Sequence, residues 1–243
     1  MKNKIFLFSY NLIMKIKICL LLILFTSFVF IISYKESKTA FTSTQTGVIF
    51  TFDDGPNNDN TLHILNVLEK YNMSATFFVV GNKINSQKDV IKKVYNSHSE
   101  IGYHSYDHKL LTKKKGKQIK NDFDKTEKIY YEITKDYLSY VRPPYGSINK
   151  NVIKNINTPF ILWNKDTNDW KYKDSAYIEK YVKANINEGD IFLFHDSYKT
   201  TLNAIENLIP CLYENNIKVY SVTNYIKEKN IKLFPRQKYY FFK

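Results

Sequence analysis

From Gly47 to about Val222, short apolar runs alternate with amphipathic stretches of helix length, and this alternation limits the fold more than any other feature. A strand followed by a helix, repeated about seven times, predicts a parallel sheet covered by helices. The pattern alone does not distinguish an open, doubly wound sheet from a closed barrel. The predicted strands are 47–52, 75–80, 100–103, 140–142, 160–164, 190–195 and 218–222, and the predicted helices are 61–71, 87–97, 116–134, 152–156, 176–185 and 201–214.

The N-terminal region contains an uncharged apolar run from Ile18 to Ile32, which follows four lysines. We predict a signal anchor or signal peptide over residues 1–34 and a linker rich in Ser and Thr over 35–46. The run is shorter than the roughly 20 residues that span a bilayer, but flanking residues can extend it. Because small residues are missing where cleavage needs them, we favour an uncleaved, single-pass anchor in the cell membrane over secretion after cleavage. The preceding lysines then place the rest of the chain outside the cytoplasm.

The composition is that of one packed globular domain, with 44% hydrophobic residues, 7 Gly and 6 Pro in 243 residues. We predict this domain over 47–230, followed by a basic, aromatic tail over 231–243 that is either surface-binding or frayed. The net charge of +13 suits an anionic lipid or polymer. No nucleic-acid recognition motif accompanies it, so nucleic-acid binding is not expected. Cys19 lies in the apolar run and Cys211 in a predicted helix, so no internal disulfide is expected.

Polar residues follow several predicted strands at their carboxyl ends. Asp53 and Asp54 follow the first strand, Arg142 closes the fourth, and His195 closes the sixth. In parallel α/β folds the loops at the carboxyl ends converge on one face, where ligands bind. We therefore expect these side chains to meet in one cleft.

Two histidines and an aspartate form a candidate metal site. His104 and His108 are four residues apart, a spacing that in a helical turn places both rings on one face. With Asp54 they make a set of two histidines and one carboxylate, which is suited to Zn²⁺ and compatible with Co²⁺ or another divalent ion. The second carboxylate, Asp53, stays free to accept a proton.

Each of these motifs also has a structural explanation when it is taken alone. An Asp-Asp-Gly-Pro sequence can simply form a turn. Trp170 and His195 can be core residues, and His63 and His98, which have no partner at ligand spacing, are interpreted as structural. The functional interpretation therefore depends on all the motifs occurring together.

Taken together and in this order, five motifs closely resemble those of the NodB-like polysaccharide deacetylases, carbohydrate esterase family 4. They are TFDDGP, HSYDH, RPPYG, DTNDW and LFH, which begin at Thr51, His104, Arg142, Asp166 and Leu193. The resemblance extends from about residue 47 to about 226. It implies a deformed (β/α)₇ barrel and so favours a barrel over an open sheet.

The resemblance also implies a role for each motif residue: a general base, a general acid, the residues that orient them, the metal ligands and the acetyl pocket. The resemblance implies that Asp53 is the base and is oriented by Arg142, and that His195 is the acid and is oriented by Asp169. It implies that one divalent ion, such as Zn²⁺, is bound by Asp54, His104 and His108. The backbone N–H of Tyr145 would be the oxyanion donor, and Trp170 and Leu193 would surround the acetyl methyl group. No motif residue is missing, which favours an active enzyme over an inactive relative.

The expected activity is metal-dependent hydrolysis of N-acetyl groups on a polysaccharide that contains N-acetylglucosamine, with release of acetate. Peptidoglycan is favoured over a chitin-like oligomer, because an outward-facing anchor holds the enzyme beside the cell wall. One alternative is an O-acetyl esterase acting on a polysaccharide such as xylan. Another is a non-catalytic, surface-anchored glycan-binding protein.

Overall fold

The computed structural model describes residues 25–27 and 45–242 of the chain. The predicted anchor over 1–34 and linker over 35–46 lie almost entirely outside these residues, and 25–27 are helical. Within the two described ranges we find no helix with both the length and the apolar character needed to cross a membrane. The chain divides into two compact units, Met1–Gln45 and Thr46–Lys243, and the second contains all five motifs.

The described part of the second unit contains eight strands, and all paired strands run parallel. They are β1 (Thr46–Gly55), β2 (Thr76–Val79), β3 (Glu100–Tyr103), β4 (Phe160–Ile161), β5 (Lys165–Asp166), β6 (Ile191–His195), β7 (Ile217–Tyr220) and β8 (Lys238–Tyr239). The main sheet has the order β3-β2-β1-β6-β5, with β7 also paired to β1, and β4 pairs with β8. Val141 bridges to Tyr103 on one side and to Phe160 on the other, which continues the pairing from β3 to β4. The predicted α/β fold with a parallel sheet is confirmed.

Nine α-helices occur in the same described part. They are α1 (Asn58–Lys70), α2 (Gly81–Ile84), α3 (Lys88–Tyr95), α4 (Gly116–Thr134), α5 (Lys150–Asn155), α6 (Asp169–Tyr172), α7 (Ser175–Ala184), α8 (Lys199–Glu214) and α9 (Val222–Glu228). Short 3₁₀ turns cover Asn85–Gln87, Leu111–Lys113 and Pro144–Gly146. The longer helices are amphipathic: α1 buries Ile64, Leu65 and Leu68, a spacing that forms one helix face.

Strand β1 is buried on both faces, and its two faces contact different parts of the domain. Phe50 and Phe52 belong to a hydrophobic cluster that includes the buried faces of α1 and α8. Ile49 belongs to a second cluster, on the opposite face. Because side chains alternate along a strand, Thr51 and Asp53 share the face of Ile49. The first acidic residue of the motif therefore points away from the covering helices.

Some predicted elements differ from the observed ones. The predicted strand 140–142 is reduced to the bridges of Val141, because Pro143 and Pro144 follow and cannot donate to a ladder. The predicted strand 160–164 is shortened to β4 (Phe160–Ile161), and β5 (Lys165–Asp166), which was not predicted, begins just after its end. The short elements α2, α6, α9 and β8 were not predicted, since each is too short to give a clear periodicity.

The C-terminal segment packs into the domain. β8 pairs with β4, and Phe242, which is 3% exposed, belongs to the second cluster. Phe242 stacks on Tyr225 at a centroid distance of 5.8 Å, and its N–H donates to the carbonyl of Gly189 at 2.9 Å. Gly189 has a φ of 77°, and a Cβ there would lie 1.7 Å from the Phe242 oxygen, so this approach requires glycine. The expectation of a frayed tail is thus wrong for residues 238–242.

We predict that Phe242→Ala lowers the free energy of unfolding by about 3 kcal/mol, the cost typical of removing a buried aromatic ring. Phe234→Ala, in the same segment but at a side chain that is 53% exposed, should cost less than about 1 kcal/mol. Urea denaturation followed by circular dichroism measures both. Equal losses would mean that the C-terminal segment does not stabilise the domain through Phe242.

Candidate active site

A cleft of about 370 Å³ opens at the carboxyl ends of β1, β3 and β6. Eight of the ten predicted site residues line it, and the other two, Arg142 and Asp169, lie directly behind it. The cleft is lined by Asp53, Asp54, His104, His108, Tyr145, Trp163, Asp166, Trp170, Leu193, His195 and Tyr198. The structure therefore brings the predicted site residues together.

Asp53 is held by a buried arginine. Arg142 is fully buried, and its Nη1 donates to Asp53 Oδ1 at 2.9 Å and to Thr51 Oγ1 at 2.7 Å. Its other guanidinium nitrogens donate to the carbonyls of Ile161 and Leu162 at 2.9 and 2.8 Å. A buried charge is tolerated when it is paired and hydrogen-bonded on all sides, as this one is. Arg142 consequently holds the Asp53 carboxylate in one orientation.

Asp54, His104 and His108 converge on one point. Asp54 Oδ1 lies 3.0 Å from His108 Nε2 and 3.4 Å from His104 Nε2, and the three possible ligand atoms all lie within 4.8 Å of one another. The expectation that a helical turn aligns the two histidines is wrong. They lie in a loop after β3 in which Ser105 and His108 have φ values of 62° and 55°. This loop conformation, rather than helical periodicity, brings the two rings together.

The three side chains fit a divalent cation. His104 Nδ1 lies 2.7 Å from the carbonyl oxygen of Arg142, which can only accept a hydrogen bond. Nδ1 therefore carries a proton, and Nε2 faces Asp54, where it is available to bind a cation. Asp54 Oδ1 is buried and accepts no hydrogen bond from the described residues. A buried carboxylate oxygen without a hydrogen-bond donor is unfavourable, and a cation shared with the two imidazoles would satisfy it.

The ionisation of Asp54 agrees with a ligand role. Burial by itself raises the pKa of Asp54, but contact with His104 and His108 outweighs burial and holds this pKa well below its ordinary value of 3.8. Asp54 is therefore a carboxylate at neutral pH, the form that binds a metal.

His195 is positioned by a buried carboxylate. Its Nδ1 lies 2.8 Å from Asp169 Oδ1, and its backbone N–H donates to Asp169 Oδ2 at 2.7 Å. Thr201 Oγ1 and the N–H of Trp170 also donate to Asp169, which is fully buried. Burial by itself lowers the pKa of His195, but the hydrogen bond and charge of Asp169, helped by the charge of Asp53, raise this pKa to about 9. His195 is thus protonated at neutral pH in the metal-free protein.

Asp53 and His195 face the same cleft. Asp53 and His195 are register partners on the neighbouring strands β1 and β6. Leu193, two residues before His195 on the same face of β6, is 3% exposed at the cleft floor, whereas Trp170 is 46% exposed at its rim. Tyr145 has a φ of 59°, and its ring lies 4.9 Å from the ring of His108.

Several residues of the site were not predicted. Trp163, Asp166 and Tyr198 line the cleft, and Thr51 and Thr201 anchor the two ion pairs. The sequence contained a signal for two of these residues: Thr51 precedes Asp53 by two residues and so shares its strand face, and Trp163 lies one residue before the end of the predicted strand 160–164. Tyr198 and Thr201 reach the site only because the chain turns back after β6.

Comparisons with known proteins agree with this geometry. A family model described as polysaccharide deacetylase matches residues 42–158. The structure of the peptidoglycan deacetylase PdaC from Bacillus subtilis superposes with a TM-score of 0.74 at 32% identity, covering 77% of this chain and 93% of that one. The chain belongs to the polysaccharide deacetylase family. The resemblance stated from the five motifs is therefore confirmed.

Two further proteins are similar to this chain. The peptidoglycan-N-acetylglucosamine deacetylase PgdA of Listeria monocytogenes is 33% identical over 197 residues, which cover 81% of this chain and 42% of PgdA. The chain thus spans less than half the length of that relative. A family 4 acetyl xylan esterase from Clostridium thermocellum, solved with a cobalt ion, has a TM-score of 0.75 at 27% identity, covering 80% of this chain and 98% of that one.

We predict that His195 of the metal-free protein titrates with a pKa of about 9, as measured by NMR on ring-labelled histidine. Asp169→Asn should lower this pKa markedly, because burial then acts without the hydrogen bond and charge of Asp169, the strongest opposing partner. Tyr198→Phe, which alters a neighbouring ring 6.0 Å away without removing a hydrogen bond to His195, is the matched control and should leave the pKa near 9.

The raised pKa of His195 also affects the free energy of unfolding. Because the folded-state pKa is raised, protonation of His195 stabilises the fold fully below pH 6.5, and this contribution disappears as the pH rises through about 9. The free energy of unfolding of the metal-free wild type should therefore fall relative to that of His195→Gln over this interval. A constant difference between the two proteins would contradict the assignment.

We also predict that His104→Ala and Asp54→Asn lose bound Zn²⁺ after dialysis against limiting metal, as measured by atomic emission spectroscopy. Asp53→Asn should retain close to one ion, since Asp53 is paired with Arg142 and not part of the ligand set. His63→Ala, at an exposed histidine on α1, is the control. Full metal retention in His104→Ala would overturn the proposed ligand set.

Proposed function

We propose that the protein is a metal-dependent deacetylase that hydrolyses N-acetyl groups on a polysaccharide containing N-acetylglucosamine and releases acetate. The observation that carries the proposal is the arrangement across β1 and β6. Asp53, which is paired with Arg142, and His195, which is paired with Asp169, are register partners on these strands. The same cleft is lined by the candidate metal ligands Asp54, His104 and His108. Hydrolysis of an amide needs a base and an acid at one carbonyl group, and this cleft presents both.

Asp53 acts as the general base. Its Oδ1 is occupied by Arg142, whereas Oδ2 lies 3.6 Å from His104 Nε2, on the side of the metal ligands. A water molecule between that carboxylate and the acetamide carbonyl would lose its proton to Asp53 as it attacks. Arg142 stabilises Asp53 in its ionised form until then, and positioned bases of this kind contribute roughly 10²- to 10⁴-fold in rate.

His195 acts as the general acid. An amine leaves an amide readily only if its nitrogen is protonated, and His195 with a pKa raised to about 9 carries the required proton at neutral pH. Asp169 binds Nδ1, which leaves Nε2 to face the substrate nitrogen. The buried network around Asp169 keeps the ring in this orientation.

Three further groups complete the proposed site. A divalent ion held by Asp54, His104 and His108, most simply Zn²⁺, supplies Lewis-acid chemistry by lowering the pKa of water and polarising the carbonyl group. The backbone N–H of Tyr145 stabilises the negative charge that develops on the carbonyl oxygen. Leu193 and Trp170 form the apolar pocket for the acetyl methyl group.

Peptidoglycan is the substrate that we favour, and we place the enzyme at the outer face of the cell membrane. Relatives named as peptidoglycan deacetylases in Listeria monocytogenes and Bacillus subtilis support the substrate. The apolar run of 18–32 and the lysines before it support an uncleaved anchor with the domain outside. We also infer that the sheet closes as a deformed (β/α)₇ barrel, which is supported by the bridges of Val141 between β3 and β4.

An O-acetyl esterase is the second candidate, and its support is the similarity to the Clostridium thermocellum acetyl xylan esterase. An ester releases an alcohol, which is a better leaving group than an amine and needs a proton donor less. The protonated His195 therefore favours the amide substrate over the ester.

The test is acetate release by residues 41–243, stripped of metal and resupplied with Zn²⁺ or Co²⁺, on peptidoglycan, chitooligosaccharides and acetylated xylan. We expect metal-dependent acetate from the first two substrates, and a loss of about 10²-fold or more in Asp53→Asn that still holds its metal. Release from xylan alone would assign the protein to the esterases. No release by a folded, metal-loaded protein would favour a glycan-binding role.

A further inference from the structure

A second groove of about 450 Å³ adjoins the cleft on the side of the metal ligands. It is lined by His108, Lys109, Leu110, Lys113, Lys114 and Tyr145. His108 and Tyr145 also line the cleft, so the two cavities meet at these residues. A glycan whose acetyl group occupies the cleft can therefore place a neighbouring substituent in this groove.

The wall of the groove is held in place by the hydrophobic core and by the segment that follows Tyr145. Leu111, in the turn Leu111–Lys113, is fully buried in the large hydrophobic cluster. Thr112 lies next to it, with its hydroxyl 3.2 Å from that of Ser147, and its carbonyl accepts a bond from the Asn149 side chain. These contacts connect the loop after β3, which forms one wall of the groove, to the segment after Pro144, which contains Tyr145. The lysines therefore project from a fixed backbone.

The charges of the groove are not balanced. Lys114 pairs with Asp107 and Asp122, and Lys109 lies 3.1 Å from Asp107, so these lysines and aspartates largely offset one another. Lys113 is exposed and forms no ion pair with any residue in the described ranges. The described residues that line the groove include three lysines and no acidic residue. The groove thus offers an unpaired cation beside the metal site.

We propose that this groove binds a carboxylate carried by the substrate glycan, on the sugar next to the one that loses its acetyl group. The proposal rests on the proposed deacetylase function and specifies its substrate class: a glycan with carboxylate-bearing substituents, as in the peptide stems of peptidoglycan, rather than a neutral chitin-like oligomer. Lys113 is the principal contact and Lys109 the second. The apolar surfaces of Leu110 and Tyr145 contact the carbon skeleton of the substituent.

Several features favour this occupant over a free anion or a membrane surface. The groove and the cleft share His108 and Tyr145, so one glycan can occupy both, whereas a free anion or a membrane surface would make no use of this continuity. On the cleft side, Asp166 is part of the lining, which makes that region unfavourable for a second negative charge. A carboxylate is therefore directed toward the lysines, and the glycan is oriented across the cleft.

The experiment measures dissociation constants for two forms of one peptidoglycan fragment, with its stem carboxylates either free or converted to amides. Titration calorimetry is performed on metal-loaded Asp53→Asn to prevent turnover, and KM and kcat are measured on the wild-type background. The variants are Lys113→Gln and the double change Lys109→Gln with Lys113→Gln. Lys92→Gln, at an exposed lysine of α3 outside the groove, is the matched control.

We expect tighter binding of the free carboxylate form, and a loss of up to about fivefold of this preference in Lys113→Gln, the range of an exposed ion pair. The double variant should lose more, KM should rise while kcat stays nearly constant, and the preference should shrink at ~0.3 M salt. Lys92→Gln should change none of these quantities.

Two results would overturn the inference: equal affinity of the wild-type groove for both forms, or an equal effect of Lys113→Gln and Lys92→Gln. The failure of the proposed function is recognised separately. In that case no acetate is released from any substrate, whereas the carboxylate preference and its loss in Lys113→Gln are still measured by calorimetry.

Discussion

The buried guanidinium group of Arg142 is the interaction on which the site depends. Its nitrogens bind Asp53 and Thr51 of β1 and the carbonyls of Ile161 and Leu162 at and just after β4. A charge removed from water in this way is costly unless every donor is satisfied. The strands around it must therefore keep their relative positions, and the proposed base is fixed by the same contacts.

Arg142 also connects the two parts of the proposed chemistry. Its side chain holds Asp53, and its backbone carbonyl accepts a hydrogen bond from His104 Nδ1. The proposed base and one proposed metal ligand are thus oriented by a single residue. On the opposite side of the cleft, Asp169 orients His195 by binding both the ring and the backbone N–H of His195. Each reactive side chain is held by a buried partner that does not itself line the cleft.

The sheet determines which side of the domain becomes reactive. The helices cover the face of β1 that carries Phe50 and Phe52, whereas the face with Ile49 continues to Thr51 and Asp53. Near Ile49 that second face is covered by Phe242 from the C-terminal segment. Near Asp53 it opens into the cleft. Phe242 thus makes the C-terminal segment contribute to the domain core, at the end of β1 away from the proposed site.

The sequence by itself determined the parallel α/β class and ten of the residues that make up the site. The alternation of apolar runs and amphipathic stretches indicates which side chains are buried, because apolar residues at a regular spacing lie on one face of a helix or strand. Asp53, Asp54, Arg142 and His195 were predicted because they end or follow strands, whose carboxyl ends meet at one edge of a sheet, whereas Tyr145, Asp169, Trp170 and Leu193 were predicted from the resemblance to the family. Only the tertiary structure decided that His104 and His108 meet through a loop, that β8 and Phe242 complete the core, that Tyr198 lines the cleft, and that Lys113 lines the groove beside it. These features depend on contacts between segments distant along the chain, which no local pattern encodes.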